Sequence, residues 1–391
     1  MDSFDQRTFE RREQTEESRD MSAIEAIRNQ IDEIDKELLR LINKRALHAM
    51  AIADLRSSRQ SSNFSPEREI AILKELASSN PGPLSRSAIA SVFSEIISVC
   101  RSARRPLKVA FLGPEGTFSH SAALKRFGTA SLLLPQSAIE DIFHVVENGE
   151  ADIGVTPVEN SLEGSVSATL DQFVDSDVAI CGEVSLQVRH VLLSKERSLS
   201  QIATVHSHPQ ALGQCRKWLR TNLPKACVIA EPSTAEAARQ CLARANTAAI
   251  ASEHAAAHYH LGVLARDIQD SPYNVTRFLL IGKQQSAPTG CDKTSLLFAT
   301  AHTPGALHRA LAHFAHRALN LTKIESRPTK NRTWEYYFFV DVEGHREGAQ
   351  MREAIGALRS EVTFLKILGS YPIDEVELSD GRSNDEELND N

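Results

Sequence analysis

A hydroxyl and a permanently charged guanidinium stand side by side at Thr276 and Arg277, at the mouth of the apolar run from Phe278 to Ile281. Pro272 restrains the approach to them. Such a pair offers a hydrogen-bond donor beside a permanent cation able to grip a carboxylate bidentately. Five polar clusters elsewhere each follow a short apolar, β-branched run: residues 113–120, 156–161, 206–210, 231–234 and 251–253. They bring Thr117, Ser119, Glu159, Asn160, Ser161, His208 and Gln210 as candidates for the same wall. Glu159 or His208 could supply or relay a proton, and the residue types leave both open.

A second set of charges is spaced for an anion. Arg45 occupies a core-type heptad position in a stripe of Ile24, Ile27, Ile31, Ile34, Leu38, Leu41, Ile52 and Leu55. An unpaired charge there costs several kcal/mol, roughly, so an anionic partner is expected. Arg56 is 11 residues on, about 20° round the helix, and shares that face. Arg28 is about 25 Å away along the axis, but an antiparallel second copy would bring it to Arg45, which hints at a composite site in a helical dimer. Arg68 and Glu69 on the next helix and Arg104, extending the stripe of the third, complete the set.

The elements that must hold these groups follow from pattern. The capping box at residues 22–25 opens one long helix to about Arg56. Ser65 caps, and Pro66 starts, a second helix. A third carries Ile89, Val92, Phe93, Ile96 and Cys100 on one side. From Leu107 the strand, cluster, helix unit recurs, which reads as an α/β fold of mostly parallel sheet with helix N-termini facing a cleft. After a linker from Ser286 to Cys291, strands and helices order as βαββαβ, the ferredoxin-like arrangement.

Composition bounds the function. The chain of 391 residues is 41% apolar and 24% charged, an ordinary multidomain globular balance. Residues 374–391 hold eight acids and one Arg, which accounts for the whole net charge of −7 and leaves no basic field for nucleic acid. This tail and the polar arm of residues 1–20 read as disordered. No apolar run is long enough for a membrane span, and six dispersed cysteines without a C-x-x-C suit a reducing cytoplasm. His254 and His258, with His260 nearby, and the pair His313 and His316 lack the general base and Cys partners of a zinc site, so no metal is expected. Residues 255–260 read as an Ala-rich surface helix.

Residues 21–105, with Arg28, Arg45, Arg68 and Glu69, resemble the all-helical chorismate mutase domain. In that family these positions bind chorismate, Arg28 from the partner chain. Arg56 replaces a usual Lys, Ser65 an Asp of some members, and Arg104 a usual Gln or Glu. The motifs GPEGTFSH (113–120), PVENS with EGSV (157–166), SHPQAL (207–212), STA (233–235) and NVTRF (274–278) together resemble prephenate dehydratase, across about residues 107–282. That resemblance implies two α/β lobes like a periplasmic binding protein, no cofactor, and Thr276 as the essential hydroxyl. It also leaves open a preference for prephenate or arogenate, or a purely structural mutase-like module. Residues 304–307 and 325–328 match the amino-acid-binding motifs of the ACT domain, which implies phenylalanine at Gly305, Ala306, Leu307, Glu325, Ser326, Arg327 and Pro328. Taken together the resemblances imply a cytoplasmic homodimer making phenylpyruvate, with domains at 21–105, 106–285 and 292–373.

Overall fold

In the computed structural model the described residues are 3–57, 64–329 and 336–374. Three helices form the N-terminal part: α1 (Ser3–Ser57), α2 (Pro66–Ser78) and α3 (Arg86–Ser102). Helix α1 already runs through residues 3–20, where the sequence reading put a disordered arm, and Ser22 lies inside it rather than at its start. Local helix propensity continues through that Glu- and Arg-rich stretch without a breaker. Ser65 stands at the N-cap of α2 but makes no capping bond; its hydroxyl donates to Glu67 at 2.5 Å. Helix α3 is capped by Ser85, whose hydroxyl accepts from the Ala88 N–H at 3.1 Å.

The central part comprises two lobes. Lobe 1 contains β1 (Lys108–Leu112), α4 (Phe118–Phe127), β2 (Leu132–Gln136), α5 (Ile139–Glu147), β3 (Ile153–Asn160), β4 (Gly164–Ser165), α6 (Ser167–Asp175) and β5 (Ala179–Gln187). Lobe 2 contains β6 (Val191–Ser194), β7 (Thr204–Ser207), α7 (Pro209–Gln214), α8 (Arg216–Asn222), β8 (Cys227–Ala230), α9 (Thr234–Ala243), β9 (Thr247–Ala251), α10 (Glu253–Tyr259) and β10 (Gly262–Ala265). The chain then returns to lobe 1 as β11 (Val275–Gly282). The first sheet has the order β2-β1-β3-β11-β5 and the second β10-β6-β9-β7-β8. Both are mixed: β11 is antiparallel to β3 and β5, and β6 to β9 and β10, because each lobe must receive the chain back from the other.

Two local readings change. Thr156–Asn160 is not a loop cluster but the end of β3, kept extended by pairing with β11. Helix α10 is not a surface helix: Ala255 and Ala256 are buried against the lobe 2 core.

The C-terminal domain has β12 (Asp292–Ala299), α11 (Ala306–Ala315), β13 (Leu321–Pro328), β14 (Tyr336–Glu343), α12 (Ala349–Glu361) and β15 (Phe364–Pro372), with sheet order β13-β14-β12-β15. The expected βαββαβ order is present. This domain is not held at arm's length. Leu297, Phe339, Leu368 and Tyr371 join Ile142, Phe143, Phe173 and Ile180 of lobe 1 in one apolar core. A Cβ at Gly369 would fall on the Ile180 carbonyl oxygen, so only glycine lets β15 lie that close to β5. Asp374, assigned to the acidic tail, belongs to the same interface and accepts from the Ser185 N–H at 2.6 Å. The rest of the tail lies outside the described residues.

Candidate active site between the lobes

Strand alternation divides the sequence's candidates. On β11, Thr276 pairs with Asn160 of β3 and Arg277 with Glu159, so successive side chains leave the sheet on opposite faces. Asn160 Nδ2 donates to Thr276 Oγ1 at 2.8 Å and to Asn274 Oδ1 at 2.8 Å. Ser161 braces the entrance of β11: its hydroxyl donates to Tyr273 O and accepts from Val275 N–H. Asn274 Nδ2 then reaches Gln214 of lobe 2 at 2.8 Å. The Thr276 hydroxyl therefore stands at the lobe junction with an acceptor lone pair occupied and, among the described residues, its hydrogen uncommitted.

Arg277 and Glu159 face the other way, into the C-terminal domain. The Arg277 guanidinium donates to Glu183 at 2.6 Å, Asp341 at 2.6 Å and Tyr371 at 2.9 Å. Burial alone would lower its pKa, but Tyr371, Asp341 and Glu183 outweigh that and raise it. Lys293 completes the charge balance at Glu183, and Lys323 lies 2.9 Å from Glu159. The Arg277 donors, expected at a substrate carboxylate, are here engaged in a buried network.

The remaining candidates mostly shape the backbone. The Thr117 hydroxyl donates to Leu112 O and Pro114 O and caps α4 through the His120 N–H. Ser119 is buried in α4. His208 caps α7 by accepting from the Gln210 N–H, so its neutral ring carries the proton on Nε2. Burial lowers its pKa, opposed by Glu163. Gln210 contributes that N–H.

The 113–117 loop, the start of α9 and the start of α10 do converge across the lobes. Ser252 Oγ donates to Gly116 O and Tyr259 OH to Glu115 O, both at 3.1 Å. Gly116 has φ +85°, and a Cβ there would meet Tyr259 at 3.0 Å. His120 packs beside Phe111, His254 and His258, and burial, then His254, push its pKa down to about 4. Among the described residues no group of three His, Cys, Asp or Glu is arranged to hold a metal.

The helical charges do not form one pocket within the chain. Arg28 and Arg68 are exposed and Arg45 is half-buried. The side chain of Arg56 lies outside the described residues. Arg104 is not on α3 but past its end, exposed and paired with Asp54 at 2.5 Å. The inward cation is Arg101, one turn earlier. Glu69 is buried between Arg101 at 2.5 Å and Arg126 of α4 at 2.7 Å, whose guanidiniums both lie over the Phe64 ring. The carboxylate, expected as a substrate ligand, here ties the helices to lobe 1. The stripe Ile24, Ile27, Ile31, Ile34, Leu38 and Leu41 is 45–59% exposed.

In the C-terminal domain, Gly305, Ala306 and Leu307 line a cavity of about 210 Å³ with His302, Tyr336 and Phe338. Glu325 and Arg327 do not reach it. They bond lobe 1, Glu325 to Ser165 at 2.9 Å and Arg327 to Ser167 at 2.8 Å, while Ser326 and Pro328 are exposed on the edge strand β13.

Similarity to known proteins accords with this anatomy. The chorismate mutase type II family matches residues 27–105, prephenate dehydratase residues 109–286 and the ACT domain residues 294–360. The bifunctional chorismate mutase/prephenate dehydratase of Aquifex aeolicus is 46% identical over 356 residues, covering 90% of this chain and 98% of the relative. The chain belongs to the bifunctional chorismate mutase/prephenate dehydratase family. The relative of the same description from Pseudomonas aeruginosa is 43% identical over 359 residues, with coverage of 90% and 98%. A solved prephenate dehydratase from Arthrobacter aurescens, in complex with L-Phe, is 36% identical with a TM-score of 0.63, covering 68% of this chain and 89% of that one.

Sequence reasoning missed Asn274, Gln214, His190, Glu183, Asp341 and Tyr371. For Asn274 a signal existed, because two residues before Thr276 on a strand is the same face. The others come from distant segments, and nothing local marks them.

Proposed function

We infer that this chain is a bifunctional enzyme of phenylalanine biosynthesis. Its helical domain rearranges chorismate to prephenate, and its two-lobed domain converts prephenate to phenylpyruvate under feedback by phenylalanine. The observation that carries the dehydratase site is the bond from Asn160 Nδ2 to Thr276 Oγ1, which leaves the Thr hydrogen free at the lobe junction. The ring carboxylate departs as carbon dioxide, its bonding pair aromatises the ring, and the ring hydroxyl leaves. Thr276, with its high pKa, serves as hydrogen-bond donor to that oxygen rather than as an acid. Of the two proton-relay candidates, His208 is favoured, since Glu159 is held by Lys323 on the opposite face. With Arg277 committed elsewhere, backbone N–H groups at the starts of α4 and α9 are the groups we assign to the substrate carboxylates.

The exposed stripe of α1 supports a homodimer in which the partner completes the mutase site with its own Arg28. Phenylalanine is assigned to the cavity at Gly305–Leu307. Phe338 of that cavity and Asp341, which grips Arg277, share strand β14, and Arg277 adjoins Thr276; this is the route by which the effector reaches the hydroxyl. Six free thiols fit a cytoplasmic setting. Supplying the full-length protein with chorismate, prephenate and arogenate separately, with and without phenylalanine, and following product absorbance tests the whole reading. Turnover of prephenate without chorismate would reduce the helices to a structural module, and preferential turnover of arogenate would change the substrate.

A further inference from the structure

The Thr276 hydroxyl is oriented by a chain of side chains whose polarity is fully determined. The N–H groups of Leu162 and Glu163 both donate to Asn160 Oδ1, at 3.0 and 3.1 Å, which fixes which end of that amide is oxygen. Its Nδ2 must then face Thr276 and Asn274. Asn274 Oδ1 is thereby an acceptor, and its Nδ2 donates to Gln214 Oε1 at 2.8 Å. That oxygen lies 2.9 Å from His190 Nε2, and since it carries no hydrogen the imidazole must donate. His190 is thus held in the Nε2–H tautomer with Nδ1 a bare lone pair, buried and without a partner among the described residues. Phe118 meets the ring edge-on at 5.4 Å. Burial lowers the His190 pKa, in keeping with a neutral ring.

We propose that His190 and Asn274 are positioning residues for the dehydratase reaction, acting on the Thr276 hydroxyl through Gln214 and Asn160. The proposal rests on the dehydratase reading above. Both are too deeply buried to touch a ligand in the cleft, His190 being 2% and Asn274 0% exposed. Their placement gives them a second property. His190 lies in the outgoing crossing between the lobes and Asn274 in the returning one, and the crossings are bound to each other by Val188 N–H to Asn274 O at 2.7 Å and Ile268 N–H to His190 O at 3.0 Å. Gln214 ends α7 in lobe 2. The relay therefore links the hydroxyl in lobe 1 to the arrangement of lobe 2 through the hinge. If the donor from His190 is lost, Gln214 can rotate, Asn274 loses its fixed acceptor, and Thr276 is no longer held as acceptor with its hydrogen directed at the substrate.

The test uses full-length protein with His190→Phe, His190→Gln and Asn274→Asp, assayed on prephenate beside wild type. Phe keeps the ring but has no donor, so kcat falls about tenfold, the scale of one lost oriented hydrogen bond, while KM stays within about twofold. Gln carries an amide N–H where Nε2 was and restores kcat to within about threefold. Asp at 274 still accepts from Asn160 but cannot donate to Gln214 until protonated, so its kcat recovers towards acid pH relative to wild type. Wild-type kcat in a folded His190→Phe protein, His190→Gln as impaired as His190→Phe, or an Asn274→Asp pH profile parallel to wild type would each overturn the proposal. Wild type inactive on prephenate would instead overturn the dehydratase reading itself.

Discussion

The dehydratase cleft and the mutase helices hold charge and polarity in opposite ways. In the cleft the Asn160 amide is fixed by backbone N–H groups and orients the Asn274 and Gln214 amides in turn, while behind it the Arg277 guanidinium is neutralised by Glu183 and Asp341 and bonded to Tyr371. In the helices Arg28 and Arg68 face solvent, and the apolar stripe that should back them is open. A site built on a sheet junction is complete within one chain because strand pairing brings residues 116 positions apart into contact. A site built along a single long helix cannot fold back on itself, so it needs a second surface.

The largest test of this contrast is to break the helical partner surface. Ile31→Asp with Leu38→Asp is expected to give a monomer by light scattering with mutase activity reduced by at least about 10³-fold, since positioning and charge stabilisation go together. Dehydratase activity per chain should stay within about twofold. Undiminished mutase activity in a monomer would end the composite-site view. The converse variant, Thr276→Ala, should lower dehydratase kcat by about 10²–10³-fold, the usual scale for one donor to a leaving or oxyanionic oxygen, with mutase turnover unchanged.

Next comes the brace behind the cleft. Asp341→Ala leaves Arg277 with one fewer partner in a buried network, and urea unfolding of the two-lobed and C-terminal unit should register a loss of about 3–5 kcal/mol. It should also blunt inhibition by phenylalanine; full inhibition in that variant would remove β14 as the route. The smallest effect is with pH. His120 titrates near 4 when folded against 6.5 ordinarily, among His254, His258 and Glu115. The unfolded chain therefore binds the extra proton first: stability is full above about 6.5 and is lost as pH falls towards 4. A His120→Gln variant should show a shallower loss across that window in acid-dependent thermal melts.

Much of the architecture was legible because it is written in local pattern. The hydrophobic stripes of the first and third helices, the recurring strand and helix units and the βαββαβ order all follow from periodicity and turn residues, and five motifs marked the cleft. The charged candidates share one feature that local pattern does not reveal. Arg277, Glu159, Glu69, Glu325 and Arg327 are charged residues within functional motifs, and each was read as facing a ligand. Their side chains are instead spent on partners contributed by another domain: Asp341 for Arg277, Lys323 for Glu159, Arg126 for Glu69, Ser165 for Glu325 and Ser167 for Arg327.

What the sequence by itself determined is which chemistry the chain can perform: a hydroxyl of high pKa at Thr276, an amide at Asn160, and cations at heptad spacing are properties of residue type and order. Only the tertiary structure decided which of these groups remain free to act. A charge or hydroxyl is available when no neighbour satisfies it, and neighbours more than a hundred residues away are chosen by strand register and domain packing, not by the local chain.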